Sequence, residues 1–258
     1  MNQKRALCLL IGAVMLCSSM TACAKKKSIE KSSDLAGETI ACLSDSAGVV
    51  YADGIQQSTV LSFNNGLEAV QAVQNGQASA VIMDEASAQI YTTHNSDVKI
   101  LEQPIGTESY VIAYKKGSEK FGSLLGEALS SLQAEGKIDE IISHWVGDSA
   151  DHASYVPAEQ NPRGELIMAT VPNLPPFAES EGSAVIGIEP DVMRAVCDKM
   201  GMTLTIMEMQ TSEDVLEAVK SGKADVGLSR IAVQKDNINK ASFTDSYFAS
   251  NQVIVVQN

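Results

Sequence analysis

Histidine and aromatic side chains are scarce in this chain: 258 residues hold three His, one Trp and 5% aromatics in all. His94, His144 and His152 have neither the spacing of a metal site nor a nucleophile partner. No metal ligand, catalytic residue or cofactor is therefore assigned, and the chain is read as not an enzyme. Glycine-rich phosphate loops are absent as well. Basic residues are outnumbered 19 to 32, a net charge of −13, which disfavours nucleic acid and anionic lipid as partners. The apolar run from Ala6 to Leu16 is too short for a comfortable membrane span.

What that run does fit is a secretory signal, with Lys4 and Arg5 ahead of it and small residues behind. Met20-Thr21-Ala22-Cys23 resembles a lipobox, which implies diacylation of Cys23 and an extracytoplasmic protein held at the membrane by lipid only. Removing residues 1–22 takes Lys4 and Arg5 out of the basic count and no acid, so the charge falls from −13 to −15. Of five cysteines, Cys8 and Cys17 leave with the signal and Cys23 carries lipid. Cys42 and Cys197 remain; an exported protein can hold a disulfide, but buried free thiols are the expectation.

With 45% apolar residues the rest is long enough to bury a core, as one large domain or two lobes. A tether, 23–33, precedes Thr39-Ile40-Ala41-Cys42-Leu43, a buried strand. Asn65-Gly66-Leu67-Glu68 has the pattern of a capping box, opening a helix with Leu67, Val70 and Val73 on one face. Residues 78–83 and 98–101 read as strands, with Asp84 capping a helix between them. Tyr110 to Lys115 is a further strand, followed by helices 121–134 and 138–145. Residues 147–164 are polar and proline-bearing, a linker. Glu165 to Thr170 is a strand, Pro172 to Phe177 a proline-stiffened loop, and Gly187 opens an amphipathic helix to Met200. Strand 202–209, helix 211–221 and strand 225–228 follow. Met200, Met202, Met207 and Met209 are read as core. Alternating strands and helices imply α/β architecture with mostly parallel sheets. Leu67-Glu68-Ala69-Val70 recurs as Leu216-Glu217-Ala218-Val219, each followed by Gly and a strand, which suggests two lobes built alike.

The strand–Pro-Pro-Phe–Gly-x-x-x-Asp opening at Leu166 to Asp191 closely resembles the extracellular solute-binding proteins of polar amino-acid uptake (family 3). So do Phe243-Thr244-Asp245, Asp34-Leu35-Ala36-Gly37, Met83-Asp84-Glu85 and the helix pair ending at Trp145, but their order is rotated. The resemblance implies a two-lobed, type II periplasmic-binding-protein-like fold, circularly permuted, each lobe a mostly parallel sheet flanked by helices. The implied plan is signal 1–22, tether 23–33, second lobe 34–106, return strand and terminal-type helices of the first lobe 107–146, linker 147–164, and the main part of the first lobe 165–258. Only the segment from Gln103 to Tyr110 is expected to join the lobes covalently.

Ligands of such sheets bind beyond the carboxyl ends of the strands. The candidate ligand-binding residues are Leu174, Phe177, Ser229, Arg230, Ala232 and Asn237 from one lobe, with Asp45, Ser46, Ala47 and Asp84 from the other. By resemblance Asp84 takes a ligand's amino group, its bland role being a helix N-cap. The family's carboxylate-binding Arg position is Asn237, and Arg230 is the substitute, against a role as an ordinary surface residue. Leu174 stands where the family stacks an aromatic, and Asp45-Ser46-Ala47 where it has Gly-Thr-Thr. The expected function is capture of a small polar ligand, an amino acid or similar, for the membrane subunits of an ABC transporter, by a monomer. The alternatives are an enzyme on the same fold using Glu85, or a ligand sensor or scaffold.

Overall fold

A computed structural model describes residues 28–258 apart from 45, 94, 148 and 159–161. The signal, Cys23, Asp45 and His94 lie outside the described residues. The chain runs β1 (Thr39–Leu43), α1 (Ala47–Asp53), β2 (Thr59–Phe63), α2 (Gly66–Gln74), β3 (Ala80–Asp84), α3 (Glu85–Thr92), β4 (Val98–Ile100), β5 (Gly106–Tyr114), α4 (Glu119–Ala134), α5 (Lys137–Trp145) and β6 (Glu165–Thr170). There follow β7 (Asn173–Leu174), β8 (Ala178–Glu181), β9 (Ala184–Ile186), α6 (Ile188–Met200), β10 (Thr203–Glu208), α7 (Ser212–Ser221), β11 (Val226–Gly227) and β12 (Ser242–Gln257).

Short strands such as β3, buried at every position and apolar at all but its terminal Asp84, can only sit inside a sheet covered on both faces. The main sheet has the order β10-β6-β11-β5-β12-β3-β1-β2. At one end β10, β6 and β11 are parallel; at the other β2, β1 and β3 are parallel. Between them β5 and β12 run antiparallel to each other and to the strands they adjoin. The fold is therefore α/β with two mostly parallel half-sheets joined through an antiparallel pair. A small antiparallel sheet, β7-β8-β9, projects from the first half.

Pairing and packing refine the expected plan. Residues 252–256 of β12 pair with 84–80 of β3, so the end of the segment 165–258 lies in the half-sheet of β1–β3. A strand that leaves one half keeps finding unpaired backbone at the edge of the next, and it continues until that ladder is satisfied. Two strands cross, not one: β5 covalently at both ends, and β12 with its far end held by pairing to β3 and β4.

The tether is not wholly free, since Ile29 is buried and a 3-10 turn starts at Ser32. Leu67 is 53% exposed. The buried stripe of α2 is Gly66, Ala69, Val70 and Val73, and Leu67 sits about 100° round the helix from Gly66. Within the linker, His152 N–H donates to His144 O at 2.8 Å, and the Tyr155 hydroxyl and Ala158 N–H donate to Asp198 at 2.8 Å. The linker thus lies against α5 and α6. Cys42 and Cys197 are buried free thiols.

Candidate functional site

Asp84 ends β3 and caps α3, where its carboxylate accepts the Ser87 N–H at 2.8 Å. This satisfies one of the free donors of the first turn and leaves Oδ2 directed elsewhere. The partner comes from the other half. Arg230 lies three residues past β11, and its Nη1 donates to Asp84 Oδ2 at 2.9 Å, with side-chain exposures of 8% for Arg230 and 1% for Asp84. The side chain of Arg230 is therefore not an exposed surface group, and Asp84 serves as helix cap and as partner of Arg230, a pairing the sequence reading did not foresee.

Arg230 has φ 51°, the left-handed region that a Cβ-bearing residue enters at a cost. A third group holds it there: Glu189, fully buried in the first turn of α6. Glu189 Oε1 accepts the Arg230 N–H and the Tyr247 hydroxyl, each at 2.7 Å, and Oε2 accepts the Thr170 hydroxyl at 3.3 Å. Gly187 sets the helix start, with φ 126° and space for a Cβ closed by Phe177 O at 2.5 Å. The guanidinium lies 5.9 Å from the centre of the Phe177 ring, which stacks edge-on against Tyr110 and Phe248. Arg230 Nε is buried with no acceptor.

The electrostatics follow from burial opposed by pairing. Burial lowers the Arg230 pKa, but Asp84, Tyr110 and Glu189 outweigh it and the net direction is upward. Glu189 is raised, because the loss of hydration outweighs Tyr247, Arg230 and Thr170. Tyr247 is pushed well up by burial and the Glu189 charge. Burial also raises Tyr91 to about 12.

Beside the pair lies a cleft of about 290 Å³ lined by Ser46, Ala47, Ser229, Arg230, Ala232 and Asn237 among others. Those six expected site residues come together from both halves. Asp84, Leu174 and Phe177 do not line it: Asp84 is buried against Arg230, and the other two lie in the apolar core, Phe177 as the floor beneath Arg230. Asn237 is spent on its own loop, donating to Ala232 O at 2.6 Å and accepting from Gln234 N–H at 2.9 Å. Glu85 accepts from Asn251 of β12 at 2.9 Å.

The residues missed in the sequence are Glu189, Thr170 and Tyr247, whose only signal was an acid inside Gly-Ile-Glu-Pro-Asp. Ser212 was missed too; it lines the cleft with its hydroxyl 3.0 Å from that of Ser229. Two further contacts tie the halves: Ser87 Oγ donates to Pro175 O at 2.9 Å, and Asn173 Nδ2 to Asn64 O at 3.4 Å. Among the described residues no helix is long and apolar enough to cross a membrane.

Three comparisons bear on the chain. It is 30% identical over 90 residues to the ABC transporter glutamine-binding protein GlnH of Bacillus subtilis (strain 168), covering 35% of this chain and 33% of that one. It is 30% identical over 123 residues to the virulence sensor protein BvgS of Bordetella pertussis (strain Tohama I), covering 45% of this chain and 10% of that one. It aligns with a phosphate-binding protein of a phosphate ABC transporter from Streptococcus pneumoniae TIGR4 at 14% identity and a TM-score of 0.46, over 86% of this chain and 88% of the other. The chain thus spans between a tenth and a half of the length of the curated relatives it matches. Residues 166–258 match the model of the bacterial extracellular solute-binding proteins, family 3.

Proposed function

We propose that this chain is an exported solute-binding protein that takes a small polar ligand, an amino acid or similar, between its two halves and delivers it to an ABC transporter. The observation that carries this reading is the meeting of Arg230 and Asp84 from opposite halves at the edge of a cleft both halves line. A carboxylate and a guanidinium so placed offer one anchor each to an amine and a carboxylate. GlnH, named for glutamine, agrees with that ligand class. On this reading the protein is lipid-anchored through Cys23, works as a monomer, and needs no catalytic step. On the same reading it is a circular permutant, with the segment that resembles the opening of the family's first lobe matched within residues 166–258 and not directly behind the signal. A second reading, a ligand sensor on the same fold, is favoured by the match to BvgS.

A melting screen over amino acids and related polar solutes, followed by calorimetry, tests the binding. A ligand at a hundred times its Kd stabilises the folded state by about 2.7 kcal/mol. For a hit, Asp84→Ala and Arg230→Ala are each expected to cost about 2–5 kcal/mol of affinity, roughly 30- to 5,000-fold. Wild-type affinity in both variants would remove the anchors from the reading, and turnover of a hit would replace the binder by an enzyme.

A further inference from the structure

The two groups best placed to hold a zwitterion are bonded to each other. Asp84 sits at the end of β3 and Arg230 beyond β11, in halves whose sheets meet through β5 and β12 and which also touch through Ser87–Pro175 and Asn173–Asn64. Their contact is direct, at 2.9 Å, with both side chains more than nine-tenths buried. Arg230 is held for this contact at a backbone conformation of φ 51° by the Glu189 carboxylate on its N–H. Such strain persists only where the surroundings enforce it. Separating the halves would leave a buried carboxylate and a buried guanidinium without partners, the expensive way to break an ion pair. The pair is also unsaturated, because Arg230 Nε has no acceptor.

We propose that Asp84–Arg230 is a latch: the chain's own guanidinium occupies the acceptor that a solute's ammonium would need, closes the halves without a ligand, and gives way only by exchange. Exchange has a chemical condition. A lone amine would take Asp84 and strand Arg230; a lone carboxylate would take Arg230 and strand Asp84. Only a solute bearing both charges replaces one buried pair by two, so the latch selects zwitterions over singly charged solutes. This rests on the reading of the cleft as the solute site, but closure is measured without any solute, so the two can fail separately.

The experiment is small-angle scattering on protein stripped by unfolding and refolding, comparing wild type with Arg230→Gly and Asp84→Asn. Glycine removes the guanidinium while suiting the positive φ, so that variant keeps its backbone conformation; circular dichroism confirms folding in each. Wild type is expected to have the radius of a closed chain, about 18 Å, and both variants a larger one. A double variant should open no further than either single one. An expanded wild type overturns the latch, as do variants as compact as wild type. A parallel titration with L-glutamine and with n-butylamine reads the exchange condition: no melting shift with the amine is expected in wild type, and a shift there equal to that with glutamine would overturn the selection.

Discussion

At the scale of single residues, Glu189 carries the clearest pH signature. Burial raises its carboxyl above the ordinary 4.5, so the folded state favours the protonated form more than the unfolded chain does. Its contribution is whole below pH 4.5 and is lost as pH rises through the folded value, at about 1.4 kcal/mol for each pH unit between the two. Glu189→Gln does not titrate. Urea melts from pH 4 to 8 should therefore show wild type losing ground to the Gln variant as pH rises, and a difference flat in pH would mean the carboxyl is unperturbed. Arg230→Gly pits two effects against each other. Stranding the Asp84 charge costs about 3–5 kcal/mol, and relief of the left-handed backbone returns about 1–2 kcal/mol; the ion pair wins, and a net loss of about 1–4 kcal/mol is expected in the same melts. The thiols of Cys42 and Cys197 are both pushed up to about 12, burial being the main cause. Site-resolved alkylation should leave them unmodified until denaturant is added, and labelling in the native protein would show that these positions open.

Helices and strands put the next test on α1, which brings Ser46 and Ala47 to the cleft. A Cβ at Gly48 would stand 2.4 Å from the backbone oxygen of Ile82 in β3, whereas at Gly54 the nearest atom is 3.4 Å away. Gly48→Ala must push the helix off the sheet and is expected to cost about 1–3 kcal/mol, together with weaker binding. Gly54→Ala, at an ordinary helical φ of −74°, should be neutral or gain about 0.4–1 kcal/mol. Equal melting points for the two would deny the close approach. The same elements show what the sequence could say. Strands β1, β3 and β6 and helices α4 to α7 were legible because apolar runs bounded by Gly, Asn or Thr caps leave little choice of period. The hairpin β8–β9 was not, since Ala178–Glu181 is exposed at three of its four positions and so carries no apolar alternation. In the site, Asp84 and Arg230 stood out as charges at strand ends. Their mutual bond spans 146 positions and is set by how β5 and β12 fold the halves together, which no local pattern encodes. Glu189 was hidden for the converse reason: an acid in the first turn of a helix has an ordinary explanation.

Across the whole molecule, the placement of β12 makes the proposed permutation testable. Residues 28–31 and 256–258 line one surface cavity of about 820 Å³ with residues 99–103, and Asn258 N–H donates to Asp97 O at 2.9 Å. Joining Asn258 to Ser28 by a short Gly-Ser segment therefore asks little of the chain, because loop entropy grows only slowly with length. The matching cut belongs between Ala153 and Ser154. Asp151 and His152 stay with α5 through His144, while Tyr155 and Ala158 stay with α6 through Asp198, so no anchored side chain is parted from its support. The rearranged chain would begin in the remaining linker, enter β6 and pass from β12 straight to β1, adding a covalent link to the pairing of β12 with β3 and β4. It is expected to fold with a radius of gyration of about 17 Å and to keep the ligand profile of the parent. Hydrogen exchange should slow in residues 252–257, which the added link ties to the strand that follows. A rearranged chain that fails to fold, or one in which those amides exchange as fast as before, would show that the present order is the one the halves require.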